Sequence, residues 1–422
     1  MNNKVIEFLK EYTMTSSNID INSTLEKFKE EMDKGLEREG PIVEVSIPMI
    51  ATYLDPEIKV KTNEKVIVID AGGTNLRVGL AYFDGKNWII EDVKEDKMPG
   101  IEREFGKDEF FDYIAIRTKP LLDKAKNIGF CFSYRVGMDE SLDGSLISWA
   151  KEIKAREVVG AKVGLELLKA IKKYDSCDRE IVVLNDTTSV LLGGRTLDKD
   201  NEFRKYVGAI YGTGFNCCYI EDTKNIKKLK DLESGSMIIN TETGNFNGFN
   251  RGLFDIELTN NSLIVDEALT EKMSSGRYLA ILIHKALSEA VKRGLLSDKT
   301  KVLKEEDFNL PLVSKFLSKE KNELDNSFIN EEDKEIFKDI CLEFIDRASK
   351  IVAITISAFA LKSNVDRIGI IIEGSTFYKL PTFKESFNKY LKVILDEKKI
   401  EYKLFDGRNM ILLGAAIAAM AK

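Results

Sequence analysis

The sequence predicts an α/β protein built from two facing subdomains. Strand-like and helical patterns alternate along most of the chain, two glycine-tipped hairpins of like design stand far apart in it, and no Pro- or Ser-rich tether divides them. At about 150 residues per domain, the 422 residues give roughly two to three domains. Leu25, Phe28, Met32 and Leu36 recur at helical spacing behind a capping box of Ser23 and Glu26, which predicts a helix from there to Gly35 or slightly beyond, and Pro41 then breaks the pattern. VIVID, ending at Asp70, is a continuous β-branched run. A glycine turn follows, and LRVGLAYF alternates its way back as the second arm of a hairpin. VGAIYGTGFNCCYIE, from Val207 to Glu221, repeats the design around Gly212-Thr213-Gly214.

Between the hairpins lie the strand-like NIGFCFSYR, an amphipathic stretch around Val158 to Ile171, and the run EIVVLND, which ends in Asn185 and Asp186. Glu267 to Gly294 reads as one helix, a charged region with Pro311 follows, and Lys334 to Leu361 is a long helical pattern before the late strand RIGIIIEGS. The Lys- and Glu-rich stretches Lys301 to Glu306 and Lys319 to Glu323 read as solvated faces.

Composition narrows the function. With 43% apolar residues the chain has material for sizeable cores. Its 63 Lys and Arg against 70 Asp and Glu leave a net charge of -7, so no global positive field holds a nucleic-acid backbone. The five cysteines form no C-x-x-C pair, which argues against a disulfide framework, a zinc site and redox chemistry and fits a reducing compartment. The N-terminus has acidic residues and no apolar signal core, and the apolar runs Ile351 to Leu361 and Ile411 to Ala421 fall short of the roughly 20 residues of a membrane span. A cytoplasmic protein without nucleic-acid or membrane partners is expected.

Asp70-Ala71-Gly72-Gly73-Thr74-Asn75 places a carboxylate at the end of a buried strand, then glycines whose missing Cβ lets backbone N–H groups approach an anion. Taken alone, such a turn reads equally well as an ordinary hairpin. Two of them can hold a triphosphate from opposite sides while Asp70 positions Mg²⁺ through water, and no G-x-x-x-x-G-K-[ST] offers a P-loop instead. Asn185 and Asp186 end a strand where α/β sheets place ligands; the competing reading is a capping Asp that opens the next helix. Asn216, Asn240 and Glu242 offer amides and a carboxylate, the natural bidentate partners of neighbouring sugar hydroxyls. His284, the single histidine, lies in LAILIHKAL as a packed helix residue, which leaves a Ser-His-Asp or Cys-His mechanism almost no material. Cys217 and Cys218 read as quiet core thiols.

In this order the segments resemble the hexokinase family of sugar kinases on the actin-like ATPase (ribonuclease H-like) fold, from about the first helix to the C-terminus. Asp70 to Arg77 is similar to the family's first phosphate loop, and GFCFSYRVGMDESLDGSLISWAKEIK to its sugar segment. LNDTT is similar to the segment of the catalytic Asp, GTGFNCCYIE to the second phosphate loop, and MIINTETGNF with Glu271-Lys272 to the later sugar segments. IIIEGSTFYKLP is similar to the adenosine motif. The resemblance implies ATP-dependent phosphorylation of the 6-hydroxyl of a hexose, glucose first, in an inter-domain cleft that closes on the sugar.

By the same resemblance Asp186 is the general base, and Lys151 both binds sugar and neutralises the moving phosphoryl group. Ser133, Asn185, Asn216, Glu242 and Glu271 hold the remaining hydroxyls. Gly72, Gly73, Thr74, Asn75, Arg77, Gly212, Thr213 and Gly214 bind ATP phosphates, Asp70 orders Mg²⁺ through water, and Gly374 and Ser375 lie near adenosine. Residues 1–61 and 187–405 are assigned to a large domain and 62–186 and 406–422 to a small one, in a monomer or homodimer. Three residues depart from the family pattern: Arg135 stands where Pro is usual, Ala150 where Thr is usual and Glu152 where Gly is common. The glycine-rich form is also altered at Asp406 to Ala416. These departures motivate an alternative, a non-catalytic sugar sensor on the same fold.

Overall fold

The computed structural model describes residues 2–149 and 153–422. Helix α1 (Asn3–Glu11), which the sequence reading missed, is capped by Asn2 and buries Val5, Phe8 and Leu9. Helix α2 (Ile21–Glu37) buries Leu25, Phe28, Met32 and Leu36 as expected, but its cap is Asp20 rather than Ser23. The Ser23 amide donates to the Asp20 carboxylate at 2.7 Å, so the serine sits inside the first turn and the stronger acceptor precedes it.

After the short strand β1 (Ile50–Ala51), strands β2 (Val66–Gly72) and β3 (Asn75–Phe83) form the first hairpin, extended by β4 (Trp88–Lys97). Helix α3 (Lys107–Thr118), strand β5 (Ile128–Phe132), the hairpin of β6 (Arg135–Met138) and β7 (Gly144–Ser148), helix α4 (Val163–Ile171) and strand β8 (Ile181–Leu184) follow. They build a five-stranded sheet of order β4-β3-β2-β5-β8, in which β2, β5 and β8 run parallel. The amphipathic stretch from Val158 is helical only from Val163, because Gly160 takes a positive φ of 86° before it.

Helix α5 (Asp186–Arg195) leads to the second hairpin, β9 (Tyr206–Tyr211) with β10 (Phe215–Asp222), and to β11 (Ser236–Asn240). Helices α6 (Leu253–Asn260), α7 (Leu269–Ser274), α8 (Gly276–Lys292), α9 (Leu310–Leu317) and α10 (Glu331–Lys362) follow. The chain ends with β12 (Arg367–Glu373), α11 (Ser375–Lys379), α12 (Phe383–Glu397), β13 (Glu401–Asp406) and α13 (Met410–Ala419). The second sheet has the order β1-β11-β10-β9-β12-β13. The run Glu267 to Gly294 is two helices, not one, because Ser275 is extended (φ -68°, ψ 158°) between α7 and α8. Helix α10 is buried on nearly all sides from Ile351 to Ala360, which is why that run is apolar all round. Among the described residues no helix is long and apolar enough to cross a membrane.

One core lies among α2, α8, α10, α12 and the inner face of the six-stranded sheet, and a second lies between the five-stranded sheet and α3 and α4. A third joins the two sheets through α5 and α13, with Val68, Cys131, Leu184, Leu191, Cys218, Ile371 and Ala415 all buried in it. The two helices pack almost backbone to backbone: a Cβ on Gly414 would lie 1.9 Å from the Ser189 carbonyl oxygen. Both glycine turns and the Asn185-Asp186 step extend from strands and a helix that contribute to this shared core.

Candidate active site

The first turn follows Asp70, a buried carboxylate at the end of β2. Arg77, its cross-strand neighbour on β3, donates from Nε to Asp70 Oδ2 at 3.0 Å. Gly72 passes so close to Ser133 that a Cβ would lie 2.7 Å from the serine Oγ, and Gly73 takes a left-handed φ of 61°. Thr74 and Asn75 are exposed at the tip. The Asn75 amide donates to Glu95 at 2.7 Å, so its side chain leans on β4 rather than into the turn.

The second turn holds Thr213 exposed between Gly212 and Gly214. The amides opening α8 brace it: Gly276 N donates to Gly212 O at 2.9 Å and Arg277 N to Thr213 O at 3.2 Å. Gly374, at φ 127°, brings the end of β12 against the same turn, where a Cβ would lie 2.1 Å from Tyr211 O. Beside it a cavity of about 960 Å³ is lined by Thr213, Arg277, Phe308, Pro311, Ser375 and Thr376, among others. Glu305 and Glu306 form part of its rim, so the stretch expected to be merely a solvated face is also a wall. His284 steadies that wall, with Nε2 2.8 Å from Leu303 O.

Asn185, not Asp186, caps α5. Its Oδ1 accepts from Thr187 N at 3.0 Å and from the Thr187 hydroxyl at 2.7 Å. Asp186 is then the first helical residue, half-buried, with Oδ1 accepting from Thr187 N at 2.9 Å near the positive end of the helix dipole. The asparagine takes the capping duty and leaves the aspartate carboxylate at the strand tip. Asn240 is the hub of the adjoining network: it accepts from Asn216 Nδ2 at 2.8 Å and donates to Glu242 Oε1 at 2.9 Å. Its Oδ1 also lies 3.4 Å from the Thr187 hydroxyl, which ties the network to α5. Glu271 accepts from Phe215 N at 3.0 Å, directly after the second turn.

The acids of the site feel one another. Burial pushes the Glu242 carboxyl above its ordinary range, the Asn240 hydrogen bond and the positive charge of Arg135 oppose the shift, and the charges of Asp186 and Glu271 add to it. Glu373, at the end of β12, is pushed up to about 7 by burial first and then by Asp186 and Asp70, with Arg77 opposing. The sequence reading missed Glu373, although a carboxylate near a strand end with a glycine one or two residues on is also the pattern that marked Asp70. Among the described residues no group of three or more His, Cys, Asp or Glu is placed to hold a metal ion. The candidate Lys151, like Ala150 and Glu152, lies outside the described residues.

Two family models, both described as hexokinase, match residues 4–196 and 206–421. The chain belongs to the hexokinase family. Hexokinase-1 of Rattus norvegicus is 30% identical over 97% of this chain and 48% of its own length. Hexokinase-2 of Oryza sativa subsp. japonica is 32% identical over 61% of this chain and 54% of its own. The chain thus spans about half the length of these curated relatives. A structure described as a hexokinase from Schistosoma mansoni complexed with glucose superposes with a TM-score of 0.83 at 23% identity, covering 100% of this chain and 98% of that one. This likeness is one of fold, and it agrees with the two-domain α/β, actin-like ATPase architecture the sequence predicts. Within this hexokinase-family fold the charges of Asp70, Arg77 and Asp186 act on Glu373, and those of Asp186 and Glu271 act on Glu242.

Proposed function

We propose that the chain is an ATP-dependent hexokinase that phosphorylates the 6-hydroxyl of a hexose, glucose first. The observation that carries this reading is the Asp186 carboxylate, set at the end of β8 where Asn185 is the cap of α5, and linked through Thr187 and Asn240 to Asn216 and Glu242. Such a set of amides and carboxylates recognises vicinal hydroxyls, which both donate and accept. Ser133, Asn185, Asn216, Glu242, Glu271 and Lys151 hold the sugar. Gly72, Gly73, Thr74, Arg77, Gly212, Thr213 and Gly214 hold the ATP phosphates, and the cavity at Ser375 takes the adenosine.

In the reaction the 6-hydroxyl oxygen forms a bond to the γ-phosphorus as the bond from that phosphorus to the β–γ bridging oxygen breaks. The hydroxyl proton passes to Asp186, and ADP leaves with the bridging oxygen. A carboxylate of ordinary pKa, about 3.9, is a weak base, but in a loose phosphoryl-transfer transition state the proton leaves late and positioning outweighs basicity. Asp70 would hold Mg²⁺ through water, and the ion would supply charge neutralisation for the ATP phosphates. Lys151 and the backbone amides of both turns add to that stabilisation.

Residues 1–61 and 187–405 constitute the large domain in this reading, and 62–186 with 406–422 the small one. The third core, where α13 packs on the five-stranded sheet, supports returning the last helix to the small domain. The test is a coupled ADP-release assay across glucose, mannose, fructose and glucosamine. Hexose-dependent ADP release with formation of the 6-phosphate is expected. Sugar-dependent thermal stabilisation without ADP release would replace the kinase by a sugar sensor.

A further inference from the structure

Strand β1 is only Ile50 and Ala51, and it forms one edge of the six-stranded sheet. Ile50 lies directly opposite Asn240, the residue that orients Asn216 and Glu242. Two paired residues hold an edge strand weakly, so whatever fixes β1 also fixes the strand edge on which Asn240 sits. After β1, the Thr52 hydroxyl donates to Ile238 O at 2.7 Å. Before β1, Lys228, from the segment between β10 and β11, donates from Nζ to Pro48 O and to Met49 O, both at 2.8 Å. The lysine is itself anchored, because its backbone N donates to Leu36 O near the end of α2 at 2.9 Å. Helix α2 also packs directly on this stretch: a Cβ on Gly35 would lie 2.1 Å from Ile47 O. Met49 then takes a left-handed φ of 50° as the chain turns into β1. Lys228 is half-buried, and burial pushes its amine down to about 8, with the charge of Glu39 opposing. Desolvating an ammonium is costly, and here the offsetting hydrogen bonds all go to the two carbonyls ahead of β1.

We propose that Lys228 is a positioning residue of the acceptor site: by holding Pro48 and Met49 it keeps β1 paired with β11 and so sets the place from which Asn240 orients Asn216 and Glu242. The inference rests on the hexokinase reading of that site and adds a residue remote from the substrate. Lys228 touches neither sugar nor nucleotide in this account, and it acts only through β1.

The test compares the full chain with its Lys228→Met, Lys228→Arg and Thr52→Val variants. Methionine keeps the aliphatic stem and removes the donors, arginine keeps donors and charge, and valine removes the hydroxyl of the second hold. kcat and the KM values for glucose and MgATP are measured together with glucose affinity by titration calorimetry and amide hydrogen exchange of residues 236–242. Lys228→Met is expected to raise the KM and the Kd for glucose about fivefold, to leave kcat and the KM for ATP within about twofold of wild type, and to speed exchange in that segment. A general loss of stability would move the glucose and ATP constants alike. Lys228→Arg is expected to return the glucose constants to within about twofold of wild type, and Thr52→Val to raise them in the same direction as Lys228→Met. A folded Lys228→Met protein with unchanged glucose affinity would overturn the role of Lys228. Equal losses in Lys228→Met and Lys228→Arg beside an unaffected Thr52→Val would overturn it too, since side-chain volume rather than donation would then matter. No ADP release by the wild type would overturn the kinase reading alone and leave glucose affinity to decide this one, whereas a wild type that binds no hexose would overturn both.

Discussion

Asn240 donates its side-chain amide to Glu242 at 2.9 Å while its carbonyl oxygen receives the amide of Asn216 at 2.8 Å, so one carboxamide fixes the orientation of two candidate sugar ligands at once. Removing it leaves a carboxylate and an amide without their positioning partner. Asn240→Ala should weaken hexose binding about tenfold or more, the effect of losing hydrogen bonds of which one is to a charged group. Titration calorimetry with glucose checks this, and unchanged affinity would mean that the network is purely structural.

Asp186 invites a sharper separation of binding from chemistry. Because Asn185 performs the capping, Asp186→Ala should leave α5 intact and the melting temperature nearly unchanged. Turnover should fall by about 10² to 10⁴, the usual contribution of a positioned general base, with hexose binding retained. Near-normal turnover in a folded variant would reject the assignment.

Glu373 gives a pH signature. Its carboxyl is pushed up to about 7 from an ordinary value of 4.5, so in that window the native state holds a proton that the unfolded chain has released. The stability this contributes is fully present below the lower value and is lost as pH rises through the upper one. Thermal melts of the nucleotide-free protein should show a Glu373→Gln variant gaining about 2 to 6 °C relative to wild type between pH 5 and pH 8. A difference of constant size across that range would count against the shift.

The hairpins, the alternation of strands and helices and the location of Asp70, Asp186 and Glu242 were legible because each is written in a few consecutive residues: an apolar run, a glycine, a polar ligand. What escaped depends on neighbours distant in sequence. Ser23 lost the cap to Asp20 because two adjacent segments both fit a helix start, and only the chain path selects one. The break at Ser275 exists because the Gly276 amide is committed to Gly212 O, more than sixty residues earlier in the chain. The network function of Asn240 and the cavity wall at Glu305, Glu306 and Phe308 likewise arise only when remote strands and helices meet.

The sole histidine yields a prediction confined to the nucleotide side. His284 Nε2 donates to Leu303 O at 2.8 Å and its ring lies 5.3 Å from that of Phe308, so α8 holds the wall of the cavity. His284→Ala should raise the KM for ATP about three- to tenfold, as expected for losing one buried hydrogen bond and its packing, and leave the KM for hexose unchanged. Equal changes in both constants would show that the tether serves the whole fold.

The proposed cleft closure has a signature in solution. Ser133 and Arg135 belong to the segment that follows β5 in the five-stranded sheet, whereas Asn216 and Asn240 lie in the six-stranded one and Glu242 just beyond it. A hexose held by both groups bridges the two sheets, and bringing them together excludes the water that would otherwise compete as phosphoryl acceptor. Small-angle scattering should therefore show a smaller radius of gyration with saturating glucose than without it. Asp186→Ala, which keeps the contacts proposed for Ser133, Asn216 and Glu242, should compact in the same way at saturating glucose, whereas Asn240→Ala should need more glucose to do so. Identical scattering profiles with and without sugar, in a protein that calorimetry shows to be saturated, would mean that the cleft is preformed and that water must be kept out by the bound substrates alone.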